Sequence, residues 1–298
     1  MQDHREPANI KVGSLDERAA AFEVSLGTLT GAGVRFVARS RIDAYLRTLR
    51  DQATTPNPDA GLRGAAAIQL LNAIGELDEL GFAAAQLSEL VAIDEAWRGK
   101  FSHAFTGAVR SFAQHDPARD AQFELLAAAN CRAAGGRPRH EEPDILVDVG
   151  IKTLAIAAKR IRSIKRLEEH VRKARSQILG TAHGGLIALD LTRAFRLDST
   201  VFLATSLEQL NAIRNSVFSR VERVGGDVQR WILASPGGEQ VKVVATYCRW
   251  MAVDRTTQST AITRQWIAGP IPAFSYTARP LKRFVMRLMG STSSSNRG

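Results

Sequence analysis

The 298 residues are 45% hydrophobic and carry 40 Lys and Arg against 30 Asp and Glu, a net charge of +10 and a pI near 10.2. That apolar content suffices for one large core or two modest ones and excludes a mainly disordered chain, while the basic balance favours polyanions such as nucleic acid or an acidic membrane surface. The opening MQDHREPANIK has no apolar signal core, no run reaches roughly 18 uncharged apolar residues, and Cys131 and Cys248 are isolated, so the expectation is a cytoplasmic protein with two reduced thiols and no transmembrane segment.

Residues 15 to about 115 are rich in Ala and Leu, with helical spacing in SRIDAYLRTLRDQ, in GLRGAAAIQLLNAIGELDEL (61–80) and in EAWRGKFSHAFTGAVRSFAQ (95–114). Two prolines and an Asp-Ala-Gly in TTPNPDAG (54–61) predict a loop. No chemistry is visible in this helical N-terminal region, 1–115. After the HDP at 115–117, ARDAQFELLAAANCRAAGG follows a capping aspartate, places Phe123, Leu126, Ala127 and Asn130 at helical intervals, and stops at a Gly-Gly pair.

RPRHEEPD then leads into two predicted strands, DILVDVG and TLAIAAKRI, joined by a turn at Gly150 to Lys152. In RSIKRLEEHVRKARSQIL the residues Ile164, Leu167, Val171, Ala174 and Ile178 recur at spacings of 3, 4, 3 and 4 and predict an amphipathic helix, with Lys165, Arg166, Arg172 and Lys173 on its other faces. GGLIALDLT (184–192) reads as a buried strand, SLEQLNAIRNSVFSRVERV (206–224) as a helix, and VKVVATYCRWMAVD (241–254) as a strand. This order predicts an α/β domain over 116–280. RPLKRFVMRLM (279–289) is a short basic amphipathic helix, read as packing on the domain rather than lying on a membrane, and STSSSNRG is read as a disordered tail; both fall in the last segment, 281–298.

Between Lys159 and Arg175 eight Lys and Arg face two Glu, so 17 residues hold +6 of the net charge, which marks a candidate phosphate-binding face made by Lys165, Arg166, Arg172 and Lys173. The bland alternative is a solvated helix face on which Glu168 and Glu169 pair with neighbouring cations. The stretch contains no aromatic residue, which disfavours a base-stacking platform for single strands. His170 has no Cys or His at ligand spacing, so no zinc site is expected.

Over residues 117–192 the chain resembles the PD-(D/E)XK nuclease superfamily, the restriction-endonuclease-like fold. The matching residues are Glu124 in QFELLAAA, Asp144 in EPDIL, Lys159 in AIAAKRI and Gln177 in KARSQIL, and the departure is Ala157, which stands where the second acid belongs. The resemblance implies a restriction-endonuclease-like mixed sheet flanked by helices, and a Mg²⁺-dependent DNA nuclease. Asp144 would be the principal metal ligand, Glu124 a ligand through water, Lys159 the group that orients water or stabilises phosphate charge, and Gln177 a positioning residue.

Alanine at 157 offers no oxygen. The chain is then a natural inactive relative, carries a deliberate Glu-to-Ala change, or has a migrated acid, with Asp148 and Glu169 as the candidates. If the metal site is only one side chain short, Ala157→Glu restores cleavage. The alternative function is a non-catalytic nucleic-acid-binding or assembly subunit that retains the fold. DNA is the expected partner, with a homo-oligomer or a partner protein left open.

Overall fold

The computed structural model describes residues 10–11, 15–53, 65–109, 116–141, 144–181, 183–254, 259–270 and 279–290. The loop expected at 54–61, Pro143 and the tail expected as disordered lie outside the described residues. The chain divides into two compact units, Lys11–Ala129 and Asn130–Gly298, the latter including residues 1–10.

The first unit is helical, as its Ala/Leu periodicity predicts. It contains α1 (Leu15–Gly31), α2 (Arg41–Ala53), α3 (Ala65–Ile93), α4 (Glu95–Ala104) and most of α5 (Pro117–Ala133). In α3 the positions from Leu70 to Leu80 are buried on almost every side, which makes it the central helix, contacted by α1, α2 and α4. Asp94 caps α4 by accepting from Ala96 N–H at 2.8 Å.

A buried ionic network crosses this unit. Glu76 accepts from Arg41 Nη1 and, at 3.0 Å, from Arg119 Nε. Arg119 also donates to Asp116 at 2.6 Å and to the Tyr45 hydroxyl at 2.9 Å. Gln122 links Arg41 to Glu79, accepting at 2.9 Å and donating at 2.6 Å. Burial, reinforced by the Glu76 charge, pushes the Tyr45 phenol well above its ordinary range, so it stays protonated. Because Asp116, Arg119 and Gln122 are buried in this network, the division between units falls within α5, after Ala129, rather than before Asp116 as the texture of the sequence suggests.

The second unit is α/β, the class expected from its element order, with a mixed sheet. Its strands are β1 (Ile10–Lys11), β2 (Arg137–Arg139), β3 (Ile145–Val149), β4 (Lys152–Arg160), β5 (Gly184–Asp190), β6 (Val201–Ala204), β7 (Val241–Asp254) and β8 (Ser259–Pro270). They lie in the order β1-β8-β7-β5-β4-β3-β2, with β6 also on β7. β2, β3 and β4 form an antiparallel meander, β4–β5, β5–β7 and β6–β7 are parallel, and β7–β8 is antiparallel. Val149 pairs with Lys152 across a two-residue turn in which Gly150 takes φ 63°, a left-handed conformation glycine adopts without strain.

One sheet face is covered by α6 (Leu167–Leu179) and α7 (Leu207–Leu233). Leu167, Val171, Ala174 and Ile178 of α6 and Val217, Val221, Val224, Val228 and Ile232 of α7 form one core with Ala155, Ala157, Ile187, Leu189, Val244 and Cys248. At Gly185 the contact leaves no room for a side chain, since an added Cβ would fall 2.4 Å from the Ile178 side chain.

Three expectations need correction. The basic helix begins at Leu167 after a 3₁₀ turn at Ile164–Arg166, and Ile164 is 41% exposed rather than part of the apolar stripe. α7 continues through Gly225 and Gly226 to Leu233, because Val228 and Ile232 extend its buried face. β1, β2, β6 and β8 were not anticipated.

The basic C-terminal helix, α8 (Arg279–Gly290), packs through Phe284, Val285 and Leu288 against β8 and β3, in line with the packing reading. No described helix is long and apolar enough to cross a membrane. Both cysteines are free and buried, and burial pushes the Cys131 thiol up to about 12.

Candidate functional site

β3 and β4 bring Asp144 and Lys159 together. Ile145 pairs with Ile156, so Asp144, one residue earlier, falls beside Ala157 at the end of the ladder. Its Oδ2 accepts from the Ala158 backbone N–H and from Lys159 Nζ, each at 2.9 Å. The two side chains are 13% and 20% exposed, a half-buried, charge-assisted pair.

Alternation along β4 places Ala155, Ala157 and Lys159 on one face, the face covered by α6. Ala157 is fully buried and belongs to the same apolar cluster as Leu146, Leu167 and Val171. The two alanines are small because a helix packs over them.

Glu124 belongs to the helical unit, where its carboxylate is ion-paired with Lys100. Gln177 Oε1 is buried without a hydrogen-bond partner, so it does not hold Lys159. Its neighbour Ile178 packs at Gly185, which pairs with Ala155, and Lys159 is four residues further along β4, about 13 Å.

The candidates for a migrated acid are engaged elsewhere. Asp148 sits opposite Thr153, accepts its hydroxyl at 2.7 Å, and pairs with Arg139 at 3.4 Å. Glu169 is exposed and accepts from Lys173 at 2.8 Å and Arg166 at 3.3 Å; the Lys173 hydrogen bond and the Arg166 charge hold its carboxyl below the usual range.

Lys165, Arg166, Arg172 and Lys173 are all exposed. Arg172 pairs with Glu168 at 3.1 Å, so three of these cations have acidic neighbours on the same helix. His170 is partly buried among them. Burial lowers its pKa; Glu169 opposes this, and the positive charges of Lys173, Arg166 and Lys159 reinforce it. Lys173, Arg166 and Lys159 are therefore all close enough for their charges to act on the one imidazole.

A Mg²⁺ ion takes hard oxygen ligands in a nearly octahedral shell. Asp144 supplies one carboxylate, one oxygen of which already accepts two hydrogen bonds, and Ala157 supplies none. Among the described residues no group of three or more His, Cys, Asp or Glu side chains is placed to hold a metal ion. This donor set does not fit a two-carboxylate Mg²⁺ site.

A second polar cluster at the same strand ends was missed from the sequence. Arg160, on the opposite face from Lys159, pairs with the buried Asp190 at 2.9 Å. Thr192 N–H donates to Asp190 at 2.9 Å, and Arg249 N–H donates to the Thr192 hydroxyl at 3.0 Å. Burial raises the Asp198 pKa despite the opposing charges of Arg249, Arg193 and Arg160. The one sequence clue is an aspartate closing the apolar run GGLIALD. Comparison of the chain with protein-family models, curated proteins and solved structures gave no match.

Proposed function

We propose that this chain is a nucleic-acid-binding protein, with duplex DNA as its first target, built on a restriction-endonuclease-like core whose metal-dependent chemistry is lost at position 157. The observation that carries this reading is the set of four exposed cations, Lys165, Arg166, Arg172 and Lys173, on α6 and the turn before it, whose apolar stripe is buried against the sheet. Exposed ion pairs such as Arg172–Glu168 contribute little and yield readily to phosphate. Binding through a phosphate backbone falls with salt, with a slope of about −0.9 per phosphate neutralised. Fluorescence anisotropy with a labelled duplex over a salt series tests it. Lys165→Glu combined with Arg166→Glu should weaken binding to all sequences alike, and unchanged affinity would remove the reading.

A second reading, a Mg²⁺-dependent nuclease, is favoured by one contact, that of Lys159 Nζ with Asp144 at 2.9 Å. It requires EDTA-sensitive nicking of plasmid DNA by the native chain, abolished by Asp144→Asn. Absence of nicking alongside intact DNA binding leaves the non-catalytic reading in place.

A further inference from the structure

On the face of β7 and β8 covered by α7, three polar atoms are buried without a hydrogen-bond partner: Trp250 Nε1, Thr263 Oγ1 and Gln265 Oε1. They are neighbours by register. Trp250 pairs with Thr263 and Cys248 with Gln265, so strand alternation places all four side chains on one face, with Gln265 diagonal to Trp250. Trp250 is 2% exposed and Thr263 1%. The surroundings are apolar: Val217, Val221 and Ala252 share the cluster with Trp250, and the Phe202 ring meets the indole edge-on at 6.1 Å.

Such a set asks for a partner of particular chemistry. An indole N–H only donates, an amide carbonyl oxygen only accepts, and a hydroxyl does both. None of the three groups is charged, so neither a metal ion nor a phosphate suits them. The complement is one small molecule that accepts once, donates once and exchanges a third hydrogen bond, which is the bonding pattern of a buried water.

We propose an internal hydration site in which a single water accepts from Trp250 Nε1–H, donates to Gln265 Oε1 and shares a hydrogen bond with Thr263 Oγ1. The site does not rest on the nucleic-acid reading, because it uses none of the cations of α6.

Nuclear magnetic resonance of the ¹⁵N-labelled full chain tests it, with the Trp250 indole resonance assigned by its loss in Trp250→Phe. The expected result is a cross-peak between that indole proton and water, of opposite sign in laboratory-frame and rotating-frame spectra, as for a long-lived bound molecule. The cross-peak should survive Thr263→Val, which removes the hydroxyl as a relay, and vanish when Gln265→Leu is added. Its absence from the native chain, or its loss in Thr263→Val alone, overturns the proposal. Should the variants fail to fold, a high-resolution crystal structure of the native chain decides: density within hydrogen-bond reach of all three atoms supports the site, and direct contact between Trp250 Nε1 and Gln265 Oε1 overturns it.

Discussion

Position 157 holds a methyl group enclosed by the apolar side chains of α6 and β3. A glutamate there would place a carboxylate in that core, so the packing argues against Ala157→Glu as a simple restoration of metal binding. The expected outcome is destabilisation by about 2–4 kcal/mol at neutral pH. Burial would raise the new carboxyl's pKa, so the loss should shrink as acid protonates it. Thermal unfolding with and without Mg²⁺ checks this, and a Tm that rises with Mg²⁺ would return the site to the nuclease reading.

Asp198 gives the opposite experiment. Its folded pKa lies above the ordinary 3.8 because burial penalises the charge, so the contribution it makes is present when protonated and lost as pH rises through the folded value. Asp198→Asn should therefore raise Tm at pH 7, with the gain fading as pH approaches 4. A constant gain across that range would mean that burial of the charge is not the cause.

Among the elements, the basic helix was the most legible and also the most ambiguous. Its buried stripe from Leu167 to Ile178 follows the spacing in the sequence, whereas its start does not, because Ile164 lies on a 3₁₀ turn and faces solvent. The sequence placed cations on the outer face but could not say how far Glu168 and Glu169 neutralise them. Removing those acids by Glu168→Gln and Glu169→Gln should tighten DNA binding several-fold at low salt while costing less than about 1 kcal/mol of stability. Anisotropy and urea unfolding of the same preparations measure both. Tighter binding that is independent of salt would point away from phosphate contact.

In the chain as a whole, the α/β character of the second unit and the approach of Asp144 to Lys159 were readable because each depends on local order and strand alternation. The ionic network of the helical unit was not. Arg41, Glu76 and Arg119 come from three separate helices, and nothing in their local spacing distinguishes them from solvated charges. The short strands β1, β2 and β6 escaped notice because a few residues carry no period. Removing the carboxylate at the centre of the network, by Glu76→Ala, leaves two buried guanidinium groups short of a counter-charge and should cost about 3–5 kcal/mol. Urea unfolding followed by far-ultraviolet circular dichroism checks this; a cost near zero would mean that the helical packing holds without the network.

The long strand β7 pairs in parallel with β5 along its first half and with β6 along its second, although both partners precede it in the chain. During synthesis, therefore, both strands leave the ribosome before this shared neighbour exists, and the edges that will pair with it await residues that arrive later. Pairing of this long-range kind is slow and leaves adhesive strand edges exposed in the meantime. A nascent chain that stalls ahead of Val241 would carry β5 and β6 without that neighbour, making premature termination products of this protein natural clients for chaperones.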